Sequence, residues 1–363
     1  MSKAHLSHPS TPRASLREAL PELAKVEGII GELRGAHVEV LGHAEYEGER
    51  LPIHAIRFGP EDAETPVLGI FAGVHGLERV GTQLVLAHLQ RLAAAVRWDS
   101  VLRAVVERIR ILFVPLVNPV GMALGRRANG NGVDLMRNAP VDAEDRGGWY
   151  QLYRGQRWSA RLPWYRGAPG QPMQREARVL CRFVRERLFP SRFAVTLDVH
   201  SGFAGKDRLW FPYARTRSLF PHAAEMVALR QLLGTTHRHH RYVIEPQAVH
   251  YTTHGDLWDY LYDARGMHPA AGMLLPLTLE LSATAWYTKN PQQLLSRVGF
   301  FHPVKPHRLT RVLRRHDPLL DFLARAVVSH EAWLPTDPHV RNRFGHQADL
   351  LWTASGRRSR LLG

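Results

Sequence analysis

The sequence predicts an α/β fold in which one twisted sheet carries helices on both faces. Short apolar runs, such as residues 66–73, alternate along the chain with longer segments whose apolar residues recur at helical spacing. Polar motifs follow directly after several of these runs, at the strand ends where such sheets bind ligands. With 363 residues and 45% hydrophobic content, the chain is long enough to bury one large core.

The N-terminal part, residues 1–35, is predicted to be a polar segment followed by a helix. Residues 1–14 are polar and predicted to be disordered. Ser15-Leu16-Arg17-Glu18 has the spacing of a capping box, which predicts a helix from Leu16. Pro21 falls past the first turn of that pattern, where it removes a backbone hydrogen bond. We therefore expect either a kink at Pro21 or a short turn followed by a second helix that begins there.

The rest of the chain divides into one large domain, residues 36–330, and a poorly structured, arginine-rich tail, residues 331–363. Strands are predicted at 36–42, 52–58, 66–73, 109–117, 193–199, 207–212 and 275–281. Helices are predicted at 80–95, 173–187, 222–233, near 255–264 and within 306–329. Residues 121–172 are rich in Gly, Arg and Trp, and they predict long ordered loops, which are usually functional.

The net charge of +15, carried almost entirely by arginine, allows two interpretations. It fits either a partner rich in phosphate or carboxylate groups, or a surface on which arginine is simply spread. No compact basic run with interleaved aromatics occurs, so we favour the spread surface and expect no specific nucleic-acid binding. The single cysteine, Cys181, excludes an intrachain disulfide. Without a signal-peptide pattern or an apolar run of membrane-span length, we predict a cytoplasmic protein that does not insert into a membrane.

A histidine and a glutamate three positions apart could both point at one metal ion. His75 and Glu78 follow the apolar run 67–74, and their spacing on a turn into a helix lets both side chains face one side. His200 ends the strand 193–199, from which a rigid sheet would present it. Each residue alone also has a structural explanation, as a helix cap, a first-turn acid or a core histidine. Catalytic zinc takes three nitrogen and oxygen ligands of this kind and keeps a fourth position for water.

Further motifs occur in order along the chain. They are Asn118-Pro119-Val120-Gly121, Arg127-Ala128-Asn129, Gly132-Val133-Asp134-Leu135-Met136-Arg137-Asn138, Leu197-Asp198-Val199-His200-Ser201 and Leu277-Thr278-Leu279-Glu280-Leu281. Together with His75 and Glu78, this series resembles the M14 family of zinc carboxypeptidases over roughly residues 40–290. The resemblance implies a mixed, mostly parallel eight-stranded sheet, and one Zn²⁺ per chain bound by His75, Glu78 and His200.

The resemblance also implies roles for residues around the metal. Asp134 matches the position that orients the first histidine ligand. Arg127 matches the arginine that polarises the scissile carbonyl, and its neighbour Arg126 competes for that role. Asp198 lies two residues before His200 and so faces the same side of a strand, where it could orient the ring or pair with an arginine.

Two further residues are expected to act on the substrate. Glu280 is a single carboxylate inside the apolar strand 275–281, which favours a general base and acid over the structural alternative, a buried Glu–Arg pair. Arg137 matches the family arginine whose bidentate fork binds a substrate's terminal carboxylate. Met136 departs from the family, which usually has Asn there, so one donor to that carboxylate is missing.

The last predicted substrate contacts lie before and within the helix near 255–264. Tyr251 matches the tyrosine that closes over the substrate in the family. The pattern after it is completed by Gly255, Asp259 and Tyr260. Trp258 falls where the family lines its side-chain pocket, and its size argues against selection of C-terminal Lys or Arg. Trp258 could equally pack on the core with Leu261 and Arg265, on one helix face.

We therefore predict a zinc-dependent hydrolase that cleaves an amide bond next to a substrate carboxylate, as a metallocarboxypeptidase of peptides. An amidase or deacylase of the same fold, acting on γ-glutamyl cell-wall peptides or N-acyl amino acids, is the alternative that Met136 favours. A basic protein that binds nucleic acid or an anionic surface is a second class of function. The complete set of metal and catalytic candidates argues against that class. The sequence leaves the oligomeric state open.

Overall fold

The computed structural model describes residues 15–353 apart from 146–147, 149, 203–204, 271 and 296–298. The predicted disorder of residues 1–14 and the end of the predicted tail, 354–363, therefore lie outside the described residues. None of the described helices is both long enough and apolar enough to cross a membrane.

Strands and helices are interspersed along the chain. The strands are β1 (His37–Tyr46), β2 (Glu49–Phe58), β3 (Val67–Ala72), β4 (Arg110–Val114), β5 (Phe193–Gly202), β6 (Arg208–Phe211), β7 (Val243–Pro246) and β8 (Met273–Ser282). The helices are α1 (Pro21–Glu32), α2 (Arg79–Ala95), α3 (Ser100–Val106), α4 (Pro119–Ala123), α5 (Arg175–Arg187), α6 (Ala223–Thr236), α7 (Leu257–Gly266), α8 (Thr284–Tyr287), α9 (Pro306–Val328) and α10 (Pro338–Trp352). Short 3-10 helices occur at Leu135–Arg137, Leu152–Arg154, Gln247–Val249, Pro291–Leu295 and His330–Ala332.

All of these strands form one mixed sheet in the order β1-β2-β4-β3-β5-β8-β6-β7. The four central strands β4, β3, β5 and β8 run parallel. β1 and β2 form an antiparallel hairpin at one side, and β6 pairs antiparallel with β8 at the other. The predicted mixed, mostly parallel eight-stranded sheet is confirmed.

Helices cover both faces of the sheet because successive residues of its central strands point to opposite sides. Leu68 and Ile70 of β3 enter the core beneath α2 and α9. Val67 and Phe71 of the same strand enter the core beneath α5 and α7. The strand is therefore apolar throughout, as parallel strands between two helix layers must be.

The N-terminal segment follows the second of its two predicted alternatives. Ser15 and Glu18 exchange the reciprocal capping-box hydrogen bonds, each 3.2 Å long, but these close only a turn. α1 begins at Pro21, where a missing N–H is tolerated because the first helical N–H has no partner within the helix. Leu23 and Val26 then turn inward as buried residues.

The prediction of a poorly structured tail is wrong for its first part. Residues 338–352 form α10, which packs against α6. Asp337 caps this helix by accepting two backbone N–H bonds. Trp352 is buried, and its indole Nε1 donates to the carbonyl oxygen of Ile244 at 3.0 Å. Most of the helix faces solvent, so its composition is polar although it is ordered.

Candidate metal and catalytic site

The first two metal-ligand candidates lie on the turn between β3 and α2. His75 follows the strand and Glu78 occupies the N-cap position of α2, and both side chains are buried. The turn packs closely on α4, since a Cβ atom at Gly76 would lie 2.1 Å from the α4 backbone. Asn118 strengthens this contact by donating from Nδ2 to the carbonyl oxygen of Val74 at 3.1 Å. The glycine and the asparagine together fix the turn that carries both candidates.

β5 presents the third candidate, His200, from the sheet. Its register partner on the parallel strand β8 is Glu280, so both side chains leave the sheet on the same side. His200 Nδ1 lies 3.1 Å from Glu78 Oε2, and its Nε2 lies 2.8 Å from Asp198 Oδ2. The indole Nε1 of Trp258 donates to that Asp198 oxygen at 2.9 Å. Asp198 is thus held beside His200 by a tryptophan, and not by the arginine that the sequence offered as an alternative partner.

His75, Glu78 and His200 converge on one point. One ligand atom from each lies within 4.8 Å of the others, and the two imidazole rings are 5.1 Å apart. Burial lowers the pKa of His75 well below its ordinary value, which keeps that imidazole neutral. Burial also opposes charge on His200, but Asp198 and Glu78 raise its pKa above the ordinary value. Two imidazoles and one carboxylate are buried side by side here, and this is a set of nitrogen and oxygen ligands that binds Zn²⁺.

Arg127 connects these residues to the loop that carries Asp134. Its Nε donates to Asp134 Oδ2 at 2.9 Å and its Nη1 to Glu78 Oε1 at 3.0 Å. Its Nη2 lies 2.7 Å from His75 Nε2, while the other ring nitrogen of His75 faces Asp134 Oδ1 at 3.6 Å. Asp134 therefore binds the guanidinium group directly, whereas its distance to the ring nitrogen exceeds that of a hydrogen bond. The competing Arg126 is exposed and does not line the cavity that His75, Glu78 and His200 share; it lines an adjoining surface groove instead.

Glu280 projects from β8 into the same space. Burial and the negative charge of Glu78 raise its pKa to about 8. Within the described residues no lysine or arginine lies at ion-pair distance from it, so the alternative of a buried Glu–Arg pair is not formed. A carboxyl group with this pKa takes up and releases a proton near neutral pH, which is the property required of a general base and acid.

These residues line one cavity of about 490 Å³. Tyr251 also lines it, and its ring meets the ring of Tyr153 edge-on at a centroid distance of 5.3 Å. Burial raises the pKa of Tyr251, so its hydroxyl keeps its proton and can donate. Trp164, in the loop before α5, lines the cavity as well. Tyr153 and Trp164 are site residues that the sequence did not single out.

Arg137 lies buried in the cavity wall, with no carboxylate at ion-pair distance among the described residues. Its Nε and Nη2 each approach the carbonyl oxygen of Tyr153 at 3.4 Å, a weak contact. Its backbone is packed by Gly255, where a Cβ would lie 1.9 Å from the Arg137 carbonyl oxygen. Met136 lines the same cavity with a thioether, which offers no N–H to a carboxylate. The guanidinium group is therefore free to bind an anion, without the neighbouring amide of the family pattern.

The expectation that Trp258 lines the side-chain pocket is wrong, and its alternative is confirmed. Trp258 lies in the core, with its ring 5.1 Å from that of Phe71, and Leu261 and Arg265 are buried on the same helix. Asp256, the N-cap of α7, lines the cavity instead. The Gly255-Asp256 pair before an apolar helical run is a recognisable N-cap signal, but it does not reveal that the carboxylate also faces a cavity.

Comparisons with known proteins identify the family of the chain. The model of the zinc carboxypeptidase family, Peptidase_M14, matches residues 36–303. The chain is 33% identical over 84 residues to Carboxypeptidase SOL1 of Arabidopsis thaliana, and 32% identical over 83 residues to Carboxypeptidase D of Anas platyrhynchos. These segments cover 23% and 20% of this chain, but only 17% and 6% of those longer proteins.

Solved structures show the same fold at low sequence identity. The crystal structure of thrombin activatable fibrinolysis inhibitor gives a TM-score of 0.63 at 18% identity, covering 86% of this chain and 74% of that chain. The structure of carboxypeptidase A from Helicoverpa armigera gives a TM-score of 0.55 at 21% identity, covering 81% of this chain and 71% of that chain. The eight-stranded sheet and its helices are thus shared with these proteins.

Proposed function

Because the chain belongs to the M14 family of zinc carboxypeptidases, we propose that it is a zinc-dependent hydrolase that removes the C-terminal residue of peptides. The observation that carries the proposal is the convergence of His75, Glu78 and His200 within 4.8 Å, beside Glu280, in one cavity. Zn²⁺ held by these three residues would act as a Lewis acid and make a water nucleophilic near neutral pH.

Glu280 supplies the proton transfers of the proposed reaction. Its carboxylate takes a proton from the attacking water and passes it to the amine that leaves. In the metal-free chain, burial raises the pKa of Glu280 to about 8, so this carboxylate binds a proton more tightly than an exposed glutamate does. The strand β8 holds the side chain in register with His200, so the base stands next to the proposed metal.

Arg127 stabilises the negative charge that develops on the substrate's carbonyl oxygen. Its guanidinium group is fixed by Asp134 and Glu78, so little rearrangement is needed when the charge forms. Arg137, further along the cavity wall, binds the substrate's carboxylate. Tyr251 lines the cavity with a protonated hydroxyl, and in the proposed reaction it would close over the substrate.

A second candidate function is an amidase or deacylase that uses the same metal and base. Met136 favours it, because the thioether cannot donate the hydrogen bond that the usual asparagine gives to the terminal carboxylate of a peptide. On that part of the cavity wall Arg137 is then left to bind the carboxylate. Substrates of this class are γ-glutamyl peptides and N-acyl amino acids, which also carry a carboxylate near the scissile amide. The two functions differ in the group on the acyl side of that amide.

The metal is tested first. We expect about one zinc per purified chain by elemental analysis, and loss of that zinc in His75→Ala and His200→Ala. His250→Ala is the matched control, because His250 lines the same cavity but lies outside the ligand set. If both ligand variants keep stoichiometric zinc, the site is assigned to the wrong residues.

The substrate is tested next, on the zinc-loaded chain. C-terminal peptides, γ-glutamyl peptides and N-acyl amino acids are compared, each with and without a chelator, and zinc is added back afterwards. Chelator-sensitive release of the C-terminal residue supports the carboxypeptidase. Release only from the other two classes replaces it with the second candidate function. Hydrolysis that the chelator leaves unchanged contradicts both.

A further inference from the structure

A surface groove of about 300 Å³ adjoins the catalytic cavity. Arg127 and Trp164 line both spaces, so the groove begins at side chains that also belong to the cavity. Arg126 and Arg161 line the groove but not the cavity, whereas Arg137 lines the cavity but not the groove. The two spaces therefore meet at Arg127, and each has arginines of its own.

The loop that carries Arg161 is held in shape by one buried side chain, that of Gln156. The Nε2 of Gln156 donates to the carbonyl oxygens of Ser159 and Pro163, at 2.8 and 3.2 Å. Its Oε1 accepts the backbone N–H of Ser159 at 3.1 Å. These bonds join Gln156 to positions before and after Arg161. The backbone that presents Arg161 to the groove is therefore fixed, although the loop lies at the surface.

The groove carries an excess of positive charge. Arg126 and Arg161 are both exposed, and among the residues that the structure describes no carboxylate lies at ion-pair distance from either guanidinium group. Asp134 also lines the groove, but its carboxylate is bonded to Arg127 at 2.9 Å. Arginine binds carboxylates through charge-assisted and often paired hydrogen bonds. The two arginines can therefore bind an anionic group that enters the groove.

The position of the groove suits the acyl part of the substrate. In the proposed reaction the scissile carbonyl lies at Arg127, where the groove and the cavity meet. The residue that is released occupies the cavity, with its carboxylate at Arg137. The acyl part continues from the other side of the scissile carbonyl, and the groove offers it a path along Trp164. The charges of the groove would then act on the acyl part and not on the released residue.

We propose that the groove binds the acyl part of the substrate, and that Arg126 and Arg161 select an acyl part with an anionic group. The preferred substrate then has a carboxylate on each side of the scissile amide. A peptide with an acidic residue before its C-terminal residue meets this description, and so does a γ-glutamyl amide, through its α-carboxylate. In both, the same number of bonds separates the carboxyl carbon from the scissile carbonyl carbon. The inference rests on the proposed zinc hydrolase function.

The test uses two pairs of N-acetyl dipeptides that share one C-terminal residue. The first pair has α-linked glutamate or glutamine before that residue, and the second has γ-linked glutamate or its α-amide. Within each pair a carboxylate is exchanged for a carboxamide of the same shape. We expect the zinc-loaded wild type to favour the carboxylate of at least one pair by about tenfold in kcat/KM. High salt should reduce this preference, because both arginines are exposed.

Arg126→Gln with Arg161→Gln removes both charges from the groove. The matched control is Arg230→Gln with Arg241→Gln, which makes the same change in net charge at exposed positions that line neither space. The groove variant should lose the preference through slower turnover of the carboxylate substrates alone, and the control should keep it. The proposal is overturned if the wild type has no preference, if the groove variant retains one, or if all four substrates slow equally.

Binding gives a readout that does not depend on turnover. Calorimetry with the same four dipeptides, on zinc-loaded Glu280→Gln with and without the two groove substitutions, should show the preference for the carboxylate and its loss. If the wild type hydrolyses none of the dipeptides, the proposed hydrolase function fails separately. A binding preference that the groove substitutions remove still supports the groove in that case, and equal binding of carboxylate and carboxamide overturns its role.

Discussion

A change at Glu280 should lower the rate of catalysis without disturbing the folding of the chain. Glu280→Gln keeps the shape of the side chain but removes the base, and general acid–base groups contribute roughly 10²–10⁴-fold to rate. We expect kcat/KM to fall by at least that factor while the zinc content and the melting temperature of the loaded chain are kept. Near-normal turnover in this variant would show that another group takes the proton.

The raised pKa of Glu280 also predicts how the stability of the metal-free chain depends on pH. In the folded chain the pKa is about 8, above the ordinary value of 4.5 that the unfolded chain should have. The favourable contribution of the protonated group is therefore fully present below about pH 4.5 and is lost as pH rises through about 8. Glu280→Gln has no such group. The melting temperature of the variant should therefore rise relative to that of the wild type as pH rises from about 5 to about 8.5. A difference that stays constant with pH contradicts the raised pKa.

Met136 and Arg137 test where the substrate carboxylate is bound. A charge-assisted hydrogen bond is worth roughly 1.5–3 kcal/mol, so Arg137→Ala should weaken the binding of C-terminal peptides by about tenfold or more. Met136→Asn adds an amide donor beside Arg137 and should improve kcat/KM on the same peptides. Leu162→Asn is a control, since Leu162 is exposed and does not line the catalytic cavity. If neither cavity variant changes the binding or kcat/KM of C-terminal peptides, the carboxylate is bound elsewhere and the amidase candidate gains support.

At the residue scale, local patterns place the three metal-ligand candidates on their elements, and the structure brings these candidates within 4.8 Å of one another. Their proposed roles come from the family resemblance. His75 and Glu78 sit on a turn after a buried strand, and His200 lies two residues beyond Asp198 on another, so periodicity places them. The orientation of Trp258 could not be predicted in this way, because one helical turn offers it both a core and a cavity. The ring is held in the core by packing against Phe71 and by its hydrogen bond to Asp198, and these two partners lie on strands far away in the sequence.

At the element scale, long and apolar segments were predicted well, and several short or polar ones were missed. β3, β5 and β8 are buried central strands whose composition alone identifies them. β7 has four residues and α3 has seven, so neither contains enough positions to display a period. α10 is longer, but only Ala348 and Trp352 are buried in it, and its order depends on tertiary packing.

Trp352 should account for much of the stability that α10 provides. Its ring meets the ring of Phe211 at 4.8 Å, and its indole donates to Ile244. Replacing a buried aromatic residue with alanine typically costs about 3–5 kcal/mol, so Trp352→Ala should clearly lower the free energy of unfolding in denaturant titrations. Leu350→Ala, an exposed change in the same helix, should cost far less. Equal effects of the two changes would mean that α10 is not anchored by its tryptophan.

At the scale of the whole molecule, the sheet register assembles the site from distant parts of the chain. β3, β5 and β8 are neighbours in the order of the sheet, and each ends near one proposed catalytic or metal-binding residue. The family resemblance supplied this arrangement, because strand order depends on crossovers that local patterns do not encode. The cytoplasmic location and the oligomeric state depend on no feature of the sheet, and the location stays a prediction.

The net charge of +15 is the whole-molecule property that bears on the second class of function. One face of α5 is basic, because four exposed arginines recur there at helical spacing: Arg175, Arg178, Arg182 and Arg185. Arg175 pairs with Glu45, and Arg182 is turned towards the carbonyl oxygen of Leu41, so little of the face is arranged for phosphates.

We therefore expect at most weak nucleic-acid binding, without sequence preference. With about four phosphate contacts, the affinity should fall roughly 100-fold between about 50 and 200 mM salt. Arg178→Glu with Arg182→Glu should abolish the residual binding. Arg34→Glu with Arg103→Glu makes the same charge change away from α5 and should weaken it only slightly. Fluorescence anisotropy with several DNA and RNA sequences measures this. Tight binding that prefers one sequence and persists at physiological salt would show that the arginines form a recognition surface.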